Sequence, residues 1–337
     1  MKMTPVAVIG ASGYTGLELI KILLQHPEFE LVYVAASEGG LSTDAMHPAL
    51  AKVFSVPVEK ADAAEVAKRA ELAFLALPHK TAMGFASELL ERGVKVVDLS
   101  ADYRLKQETY EEYYCPHEDE KNLPESVYGL PEFYREKIKR SRLVANPGCY
   151  PTASLLGLLP FIPHIKEGSP LYIDAKSGVS GAGKKLSAST HYVNINENIF
   201  AYNPITHRHA PEIAEKIDDL FVTQVDVNFV PHLIPVTRGM LCSVYMQVEN
   251  KIDPVEVLND IYKDEPFVRV RTEPVDIKSV AGTNFCDIFA VRNGNSLFIS
   301  SAIDNLLRGA SSQAVVNANI VCGFDEGMGI PRFAYVP

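Results

Sequence analysis

Cys149 is the residue whose neighbours point most directly to chemistry. It lies between Gly148 and Tyr150 in the stretch ANPGCYPTA, where Pro151 and the apolar run that follows predict the start of a helix. A thiol at a helix N-terminus is stabilised as the thiolate by the helix dipole and by N–H groups without helical partners. The same N–H groups could hold the oxyanion formed when a thiolate attacks a carbonyl. A small residue chosen for a tight turn is the alternative, but Ser or Ala would serve that as well, so we interpret Cys149 as a nucleophile.

The other four cysteines have settings that predict no activation. Cys115 lies in a polar segment, whereas Cys242, Cys286 and Cys322 lie in apolar ones. An odd number of cysteines without regular spacing predicts neither a disulfide framework nor a zinc site. We therefore expect no metal, and a reducing cytoplasm as the location of the protein.

Two histidines provide a candidate proton carrier for such a thiolate. His207, Arg208 and His209 come just before Pro211, at a predicted helix start. The imidazoles suit general acid–base catalysis and the guanidinium suits an anion clamp, whereas a metal site lacks a third ligand nearby. A solvated loop is the remaining alternative.

A glycine-rich stretch near the N-terminus indicates a dinucleotide. Gly10, Gly13 and Gly16 follow the apolar run 6–9 and open a predicted helix. Glycines at the first strand–helix joint of an α/β domain permit a tight turn and close approach of the backbone to a pyrophosphate. The spacing is G-x-x-G-x-x-G rather than the commoner G-x-G-x-x-G, and close strand–helix packing alone could explain it. Its position favours dinucleotide binding.

Three further segments have the composition of a binding site. Arg104 follows the predicted strand 94–99, at the edge where open α/β sheets bind ligands, and could grip an anion or form a surface salt bridge. The stretch 177–184, SGVSGAGK, is a ligand-wrapping loop or a flexible turn, and His79 follows the predicted strand 72–77.

The order of predicted elements indicates two α/β-containing domains in this chain of 337 residues. Up to about residue 150, apolar runs at 6–9, 31–36, 72–77 and 94–99 alternate with helical stripes, as in a Rossmann-type doubly wound parallel sheet. Later stretches at 224–231, 240–248 and 284–303 alternate in polarity, which is typical of a mostly antiparallel sheet in an α+β domain. We expect a dinucleotide-binding domain over 1–148, joined by a returning C-terminal helix of about 309–337, and a catalytic and dimerisation domain over 149–308. The segment 103–121 is expected to be irregular.

Bulk properties exclude two classes of partner. The net charge of −10, with no cluster of Lys and Arg, argues against nucleic-acid binding. No apolar run reaches the roughly 18 residues that a membrane helix needs, and the apolar part of the N-terminus is too short for a signal peptide.

Seven motifs in a fixed order are similar to those of the N-acetyl-gamma-glutamyl-phosphate reductase family, whose broader relatives are the aspartate-semialdehyde dehydrogenases. They are GASGYTG, LPH, DLSADYRL, NPGCYPTA, SGVSGAGK, HRHAPEI and DNLLRGASSQAVVNAN, and they cover nearly the whole chain. The resemblance implies an NADPH-dependent step of arginine biosynthesis. N-acetyl-glutamyl 5-phosphate is reduced to the 5-semialdehyde through a cysteine thioester, and phosphate is released.

The resemblance also implies roles for individual residues. Cys149 would be the nucleophile and His209 the acid/base, with His207 the second choice. Arg104, Arg208 and Asn146 would bind the substrate. The NADP-binding set would be Gly10, Ser12, Gly13, Tyr14, Thr15, Gly16, Ser37, Pro78, Ser177, Gly178, Gly181, Asn305 and Asn317.

The chain departs from the family pattern at two places. Arg308 stands where the family commonly has Lys, and the segment after the second strand, Ala35-Ala36-Ser37-Glu38, lacks the Arg often found there. Glu38 could hold the 2′-OH of NAD, whereas Ser37 could hold the 2′-phosphate of NADP, and the resemblance favours NADP. A homodimer or homotetramer is expected.

Three other functions remain open at this point. Within the same class, the chain could be an aspartate-semialdehyde dehydrogenase or a reductase for a carrier-bound amino-adipyl phosphate. A dinucleotide-sensing regulator would bind the cofactor without forming a thioester. A cysteine hydrolase would leave the glycine loop without a purpose.

Overall fold

The structure is a computed structural model that describes residues 3–249 and 251–336. The chain divides into two compact units, which are described separately. The first unit holds the residues up to Pro147 together with Ala310–Pro331. The second unit holds Gly148–Gly309 and the residues from Arg332 onward.

Strands and helices alternate along the first unit. Its elements up to Pro147 are β1 Thr4–Ile9, α1 Tyr14–Leu23, β2 Phe29–Ala36, α2 Thr43–Met46, β3 Glu59–Lys60, α3 Ala63–Arg69, β4 Leu72–Leu75, α4 Thr81–Glu91, β5 Lys95–Asp98, α5 Gln107–Tyr113, β6 Val127–Tyr128, α6 Pro131–Ile138 and β7 Leu143–Ala145. The strands form one sheet in the order β3-β2-β1-β4-β5-β7-β6, and every recorded pairing within it is parallel. All of β4 and the last four residues of β1 are buried, as expected of strands covered on both faces. The predicted doubly wound sheet is confirmed.

The segment 103–121 is more ordered than the sequence suggested. It contains α5, and the side chains of Tyr103, Tyr110, His117 and Asp119 in it are buried. The Tyr103 hydroxyl donates to Asp119 at 2.6 Å, and the Tyr110 hydroxyl donates to Asp102 at 2.7 Å. The polar composition misled the prediction because these polar groups bind one another inside the protein rather than solvent.

The second unit contains a mixed sheet covered by helices. Its elements are α7 Cys149–Leu158, β8 Leu171–Gly178, α8 Tyr192–Ile195, β9 Phe200–Ala201, α9 His209–Phe221, β10 Val227–Ile234, β11 Met240–Gln247, α10 Pro254–Tyr262, β12 Val268–Val270, β13 Cys286–Asn293 and β14 Ser296–Ile303. The strand order is β12-β13-β14-β11-β8-β10-β9. Adjacent strands are antiparallel except for the pairs β8–β10 and β12–β13. The predicted mostly antiparallel sheet is therefore confirmed.

The two faces of this sheet differ in their side chains. On the face that we call the inner face, Ser301 donates to the carbonyl of Ala153 in α7 at 2.6 Å. The opposite face, which we call the outer face, carries a row of neighbouring residues from four strands. The row is Tyr172, Tyr245, Phe298 and Val291, in the order β8, β11, β14 and β13.

The C-terminal segment is shared between the two units. A π-helical turn over Leu307–Ser311 leads into α11, Ser312–Cys322, which ends where Gly323 adopts a positive φ of 76°. The sequence predicts that the whole stretch of about 309–337 returns to the first unit. In the structure, Ala310–Pro331 belongs to that unit, whereas Tyr335 donates its N–H to Ala281 of the second unit at 2.9 Å.

None of the helices in the described ranges combines the length and the apolar character needed to cross a membrane.

Candidate active site

Cys149 is the first residue of α7, at the helix N-terminus that the sequence predicted. Gly148 before it has an extended backbone, with φ −65° and ψ 155°, and provides no side-chain cap. The first N–H groups of an α-helix have no partner within the helix, so they are available to stabilise negative charge. The half-buried thiol therefore begins an element with a favourable electrostatic field.

Gly309 is a close neighbour of this thiol that sequence reasoning missed. A Cβ built on Gly309 would lie only 2.7 Å from Cys149 Cβ and 3.1 Å from its Cα. Gly309 belongs to the π-helical turn, a rare conformation that is frequent at functional sites. A glycine inside the otherwise helix-forming stretch 304–319 was the available signal.

His207 and His209 lie together beside the residue that follows the thiol. Their ring centroids are 4.7 Å apart, and the ring of Tyr150 lies 6.0 Å from His207 and 5.7 Å from His209. His209 begins α9, and its N–H donates to Nδ1 of His207 at 3.2 Å. These three rings form one cluster of the second unit, and Tyr150 directly follows the predicted nucleophile in the chain.

Burial changes the ionisation of this cluster. It lowers the pKa of His207 to about 4, and the positive charge of Arg208 acts in the same direction. Burial also raises the pKa of the Tyr150 and Tyr202 hydroxyls above their usual range. At neutral pH His207 is therefore a neutral imidazole, and because its Nδ1 accepts a hydrogen bond, its proton lies on Nε2.

Aromatic side chains that the sequence analysis did not name form a wall of the cluster. Tyr202 donates to the Tyr150 hydroxyl at 3.0 Å, which in turn donates to the carbonyl of His232 at 3.2 Å. The buried ring of Phe229 lies 5.2 Å from that of Tyr150 and 5.4 Å from that of His207. These contacts depend on packing between distant parts of the chain, and no local motif signals them.

Arg208 lies between the two histidines in sequence but is exposed to solvent. Its charge is close enough to act on His207.

No group of three or more His, Cys, Asp and Glu side chains arranged to hold a metal ion occurs within 3–249 and 251–336.

The glycine loop of the first unit fits a dinucleotide pyrophosphate. Gly10 has a φ of +95°, and a Cβ there would lie 2.2 Å from the Ala76 carbonyl oxygen. A Cβ on Gly16 would lie 2.4 Å from the carbonyl oxygen of Gly10, so both positions require glycine. Gly13 precedes α1 without a side-chain cap, and a Cβ on it would meet no atom closer than 3.8 Å. The loop therefore leaves backbone N–H groups at the start of α1 open to an anion.

The other cofactor residues predicted in the first unit fall at the same sheet edge. Ser37 and Glu38 follow the last residue of β2 and are exposed, and exposed Pro78 follows β4. Since β2, β1 and β4 are neighbouring parallel strands, these residues and the glycine loop lie at their carboxyl ends.

Three predicted residues of the first unit are occupied by bonds within the protein. The Arg104 guanidinium donates to the carbonyls of Asn146 at 2.8 Å and Leu99 at 2.7 Å. The amide of Asn317 donates to the carbonyl of Gly129 at 2.9 Å and to Oδ1 of Asn146 at 3.0 Å. All three side chains are buried, and these bonds join the segments after β5, β6 and β7 to α11.

The predicted loop 177–184 is closely packed in its first half, whereas residues 181–184 are exposed. A Cβ on Gly181 would lie 2.7 Å from Ser177 Oγ, and one on Gly178 would lie 2.9 Å from the Arg238 backbone. Asn305 accepts the Gly239 N–H at 2.8 Å and donates to Ser180 Oγ at 3.0 Å. Asn305 thus connects Ser180 in this loop to the residue that precedes β11.

Comparison with known proteins identifies related sequences and folds. Residues 5–141 match the family described as the semialdehyde dehydrogenase NAD binding domain, and residues 149–305 match the semialdehyde dehydrogenase dimerisation domain. The N-acetyl-gamma-glutamyl-phosphate reductase of Sulfurovum sp. (strain NBC37-1) is 62% identical over 99% of this chain and 100% of its own length. The protein of the same name from Wolinella succinogenes is 60% identical over the full length of both chains.

Solved structures with little sequence similarity share the fold. Aspartate semialdehyde dehydrogenase II from Vibrio cholerae, in complex with ASA, has a TM-score of 0.73 at 18% identity and covers 96% of this chain and 99% of its own. The NADP complex of the Candida albicans aspartate semialdehyde dehydrogenase has a TM-score of 0.69 at 14% identity, covering 95% and 99% of the two chains.

Proposed function

The chain belongs to the N-acetyl-gamma-glutamyl-phosphate reductase family, and on that premise we propose that it reduces N-acetyl-glutamyl 5-phosphate to N-acetyl-glutamate 5-semialdehyde through a thioester on Cys149. NADP(H) is the cofactor, and the reaction is a step of arginine biosynthesis. The observation that carries the proposal is the half-buried thiol at the N-terminus of α7, directly followed by Tyr150, whose ring packs against two histidines.

The chemistry begins at the sulfur of Cys149. Its thiolate attacks the acyl carbon, the C–O bond to phosphate breaks, and inorganic phosphate leaves from a Cys149 thioester. N–H groups at the start of α7 stabilise both the thiolate and the oxyanion of the tetrahedral intermediate. Bound NADPH supplies the hydride that reduces the thioester carbonyl. Proton delivery by a side chain of the protein and cleavage of the C–S bond then release the aldehyde and regenerate the thiol.

His209 is the better of the two candidates for the proton carrier. Nδ1 of His207 already accepts the His209 N–H, and burial holds the pKa of His207 at about 4. A group with so low a pKa is a weak base at neutral pH. We therefore assign proton transfer to His209 and the shaping of the α9 start to His207.

The cofactor is assigned to the loop that begins the first unit. Gly10, Gly13 and Gly16 allow the pyrophosphate to approach the N-terminus of α1, with Ser12, Tyr14 and Thr15 supplying further groups of the same loop. Ser37, directly after β2, would contact the 2′-phosphate, and Pro78 would line the same edge of the sheet. Exposed Arg208 is the candidate for binding a substrate anion in the second unit.

The remaining predicted binding residues would act by holding the backbone around these sites. They are Arg104, Asn146, Asn317, Ser177, Gly178, Gly181 and Asn305. The side chains of Arg104, Asn305 and Asn317 bond to the protein itself, and a Cβ on Gly178 or Gly181 would lie within 3 Å of neighbouring atoms.

The protein is also proposed to be a homodimer or homotetramer in the cytoplasm, with the outer face of the second sheet in contact with another copy. On that face Tyr172, Tyr245 and Val291 are 51%, 48% and 48% exposed, and Tyr245 packs on Phe298 with ring centroids 5.3 Å apart. A contiguous row of exposed aromatic and aliphatic groups is typical of a surface that another protein covers.

The decisive experiment for the reaction follows phosphate-dependent reduction of NADP by the semialdehyde, with NAD as the comparison and aspartate semialdehyde as the competing substrate. Mass spectrometry of the protein mixed with the acyl phosphate, without NADPH, should show the acyl group on the Cys149 peptide. The Cys149→Ser variant should bind NADP, lack that mass increase and lose nearly all turnover. Cofactor binding without any acyl-enzyme in the parent would instead indicate a regulator.

A further inference from the structure

Glu212 is a buried carboxylate at the edge of the proposed active site, and the proposed chemistry assigns it no step. It lies in the first turn of α9, only 1% of it is exposed, and its Oε1 accepts the N–H of Gly148 at 3.1 Å. A carboxylate is costly to bury unless it is hydrogen-bonded, so its position beside Gly148 requires a reason.

The residue whose N–H Glu212 accepts is the one immediately before the nucleophile. The carbonyl oxygen of Gly148 accepts both the N–H and the hydroxyl of Thr152, each at 2.9 Å. Gly148 is therefore held at its N–H by α9 and at its carbonyl by α7. Glycine has unusual backbone freedom, so these hydrogen bonds determine the direction in which the chain enters Cys149.

The same face of α9 carries the proposed proton carrier. His209 and Glu212 are three residues apart in the helix, a spacing that places two side chains on one face. The His209 ring lies 5.7 Å from that of Tyr150, which directly follows Cys149. One helix thus contacts the residue on each side of the nucleophile.

From this arrangement we propose that Glu212 is a positioning residue, which fixes the Cys149 thiol relative to His209 through its hydrogen bond to the Gly148 N–H. The proposal rests on the proposed reductase function and adds to it a residue that touches no reacting atom. A displacement of about 1 Å between reacting groups can lower a rate about 100-fold, so a bond of this kind is sufficient to control turnover.

A different role for Glu212 would act through its charge. A carboxylate near a thiol disfavours the thiolate and would adjust its reactivity without positioning it. Two small substitutions separate these roles. Glu212→Gln keeps an oxygen acceptor at the same reach and removes the charge, whereas Glu212→Asp keeps the charge and shortens the side chain by one methylene.

The first measurement is steady-state kinetics of the two variants with the acyl phosphate and NADPH. Glu212→Gln should retain kcat within about threefold of the parent, whereas Glu212→Asp should lose about 100-fold in kcat with KM within about threefold. Glu215→Gln is the matched control, because Glu215 is also buried in α9 but pairs with Lys216 at 3.0 Å. It should keep kcat within about threefold.

The second measurement needs no substrate. It is the rate at which iodoacetamide alkylates Cys149 at pH 7, which mass spectrometry follows. We expect this rate to be at least as high in Glu212→Gln as in the parent, and lower in Glu212→Asp. Hydrogen exchange in peptides that cover Gly148 should be faster only in Glu212→Asp, because that variant loses the bond to this N–H.

The outcomes are distinguishable. A kcat of Glu212→Asp equal to or above that of Glu212→Gln would contradict positioning, as would both variants staying near the parent. If the Asp variant does not fold, a loss of more than about tenfold in Glu212→Gln is enough to overturn the proposal. If the parent itself shows no reductase activity, the proposed function fails, while the alkylation order still tests the role of Glu212.

Discussion

At the scale of single residues, His207 and His209 have the same side chain but different surroundings, and we propose different roles for them. His207 is packed among Tyr150, Tyr202 and Phe229, and burial holds its pKa at about 4. Its Nδ1 serves the backbone at the start of α9. This difference is the reason why we propose His209, rather than His207, as the proton carrier.

The kinetic consequence is a difference between the two Asn variants. His209→Asn should lower kcat about 100-fold or more with little change in KM, because a proton carrier acts mainly in the transition state. His207→Asn should have the smaller effect on kcat. Steady-state kinetics on both variants provides the check, and the opposite order would move the acid/base role to His207.

The depressed pKa of His207 also makes stability depend on pH. In the unfolded chain this histidine titrates near its ordinary value of 6.5, whereas in the folded protein it titrates at about 4. Between these values the unfolded state binds more protons, so the free energy of unfolding should fall as the pH is lowered from about 6.5 to about 4. Above that window His207 contributes no pH dependence.

Urea unfolding at pH 7.5 and pH 5 measures this effect. The parent should lose more stability on acidification than His207→Gln, which cannot take up the proton. Replacement of the exposed His191 by Gln is the control and should leave the pH dependence unchanged. Equal losses in the parent and His207→Gln would show that His207 is not buried as a neutral group.

At the scale of elements, the π-helical turn brings a backbone close to the thiol. Gly309 lies where a Cβ would come within 2.7 Å of Cys149 Cβ, a separation that real Cβ atoms do not show. The turn therefore excludes every residue except glycine at this position, and the excluded volume lies beside the nucleophile.

Gly309→Ala should consequently disturb the thiol more than the fold. Because the added methyl must push α7 or the π-helical turn aside, we expect kcat to fall at least tenfold. A displacement of reacting groups by about 1 Å can lower a rate about 100-fold. Cys149 alkylation by iodoacetamide should slow in parallel. Gly294→Ala is the control substitution, since a Cβ there meets no atom within 4 Å, although its φ of +60° will cost some stability. An unchanged alkylation rate in Gly309→Ala would refute the proposed crowding.

The helices and strands also show which parts of the fold could be predicted from the sequence. Buried strands such as β1 and β4 appear as local apolar runs, and the start of α7 is marked by Pro151, so both the parallel sheet and the position of the thiol were predictable. β3 and β6 have two residues each, too few for a periodic signal. The bond from Gly148 to Glu212 joins residues 64 apart, and only the packing of α7 against α9 creates it.

At the scale of the whole molecule, the outer face of the second sheet is the surface that we propose to contact another copy. If another copy covers it, Tyr245→Glu should place a charge in an apolar contact and shift the protein to a smaller species in analytical ultracentrifugation. Ile261→Glu is the control substitution and should leave the mass unchanged, because Ile261 is exposed in α10, which packs on the α7 side of the sheet, where Tyr262 donates to the Leu156 carbonyl. A Tyr245→Glu variant with the mass of the parent would place the contact elsewhere.

The first unit is also assembled from two stretches that are far apart in the chain. α11 is almost entirely buried, and it bonds to early residues: Asn319 to His26, Asn317 to Asn146, and the Val321 carbonyl to Lys95. The seven strands of the sheet are complete once Ala145 has been added. Their helix partner follows only after the second unit.

During synthesis on the ribosome, then, the N-terminal sheet must wait for its last helix. Roughly 160 residues separate Pro147 from Ala310. Translation at about 5–20 residues per second therefore leaves an interval of about 10–30 s in which the groove that α11 fills is uncovered. A nascent chain halted after residue 300 should be cut by protease within residues 3–147, whereas the full chain released from the ribosome should resist. Early resistance would mean that the groove closes without α11. For that interval the nascent protein exposes the surfaces of α1, α6 and β5 that α11 covers in the folded protein.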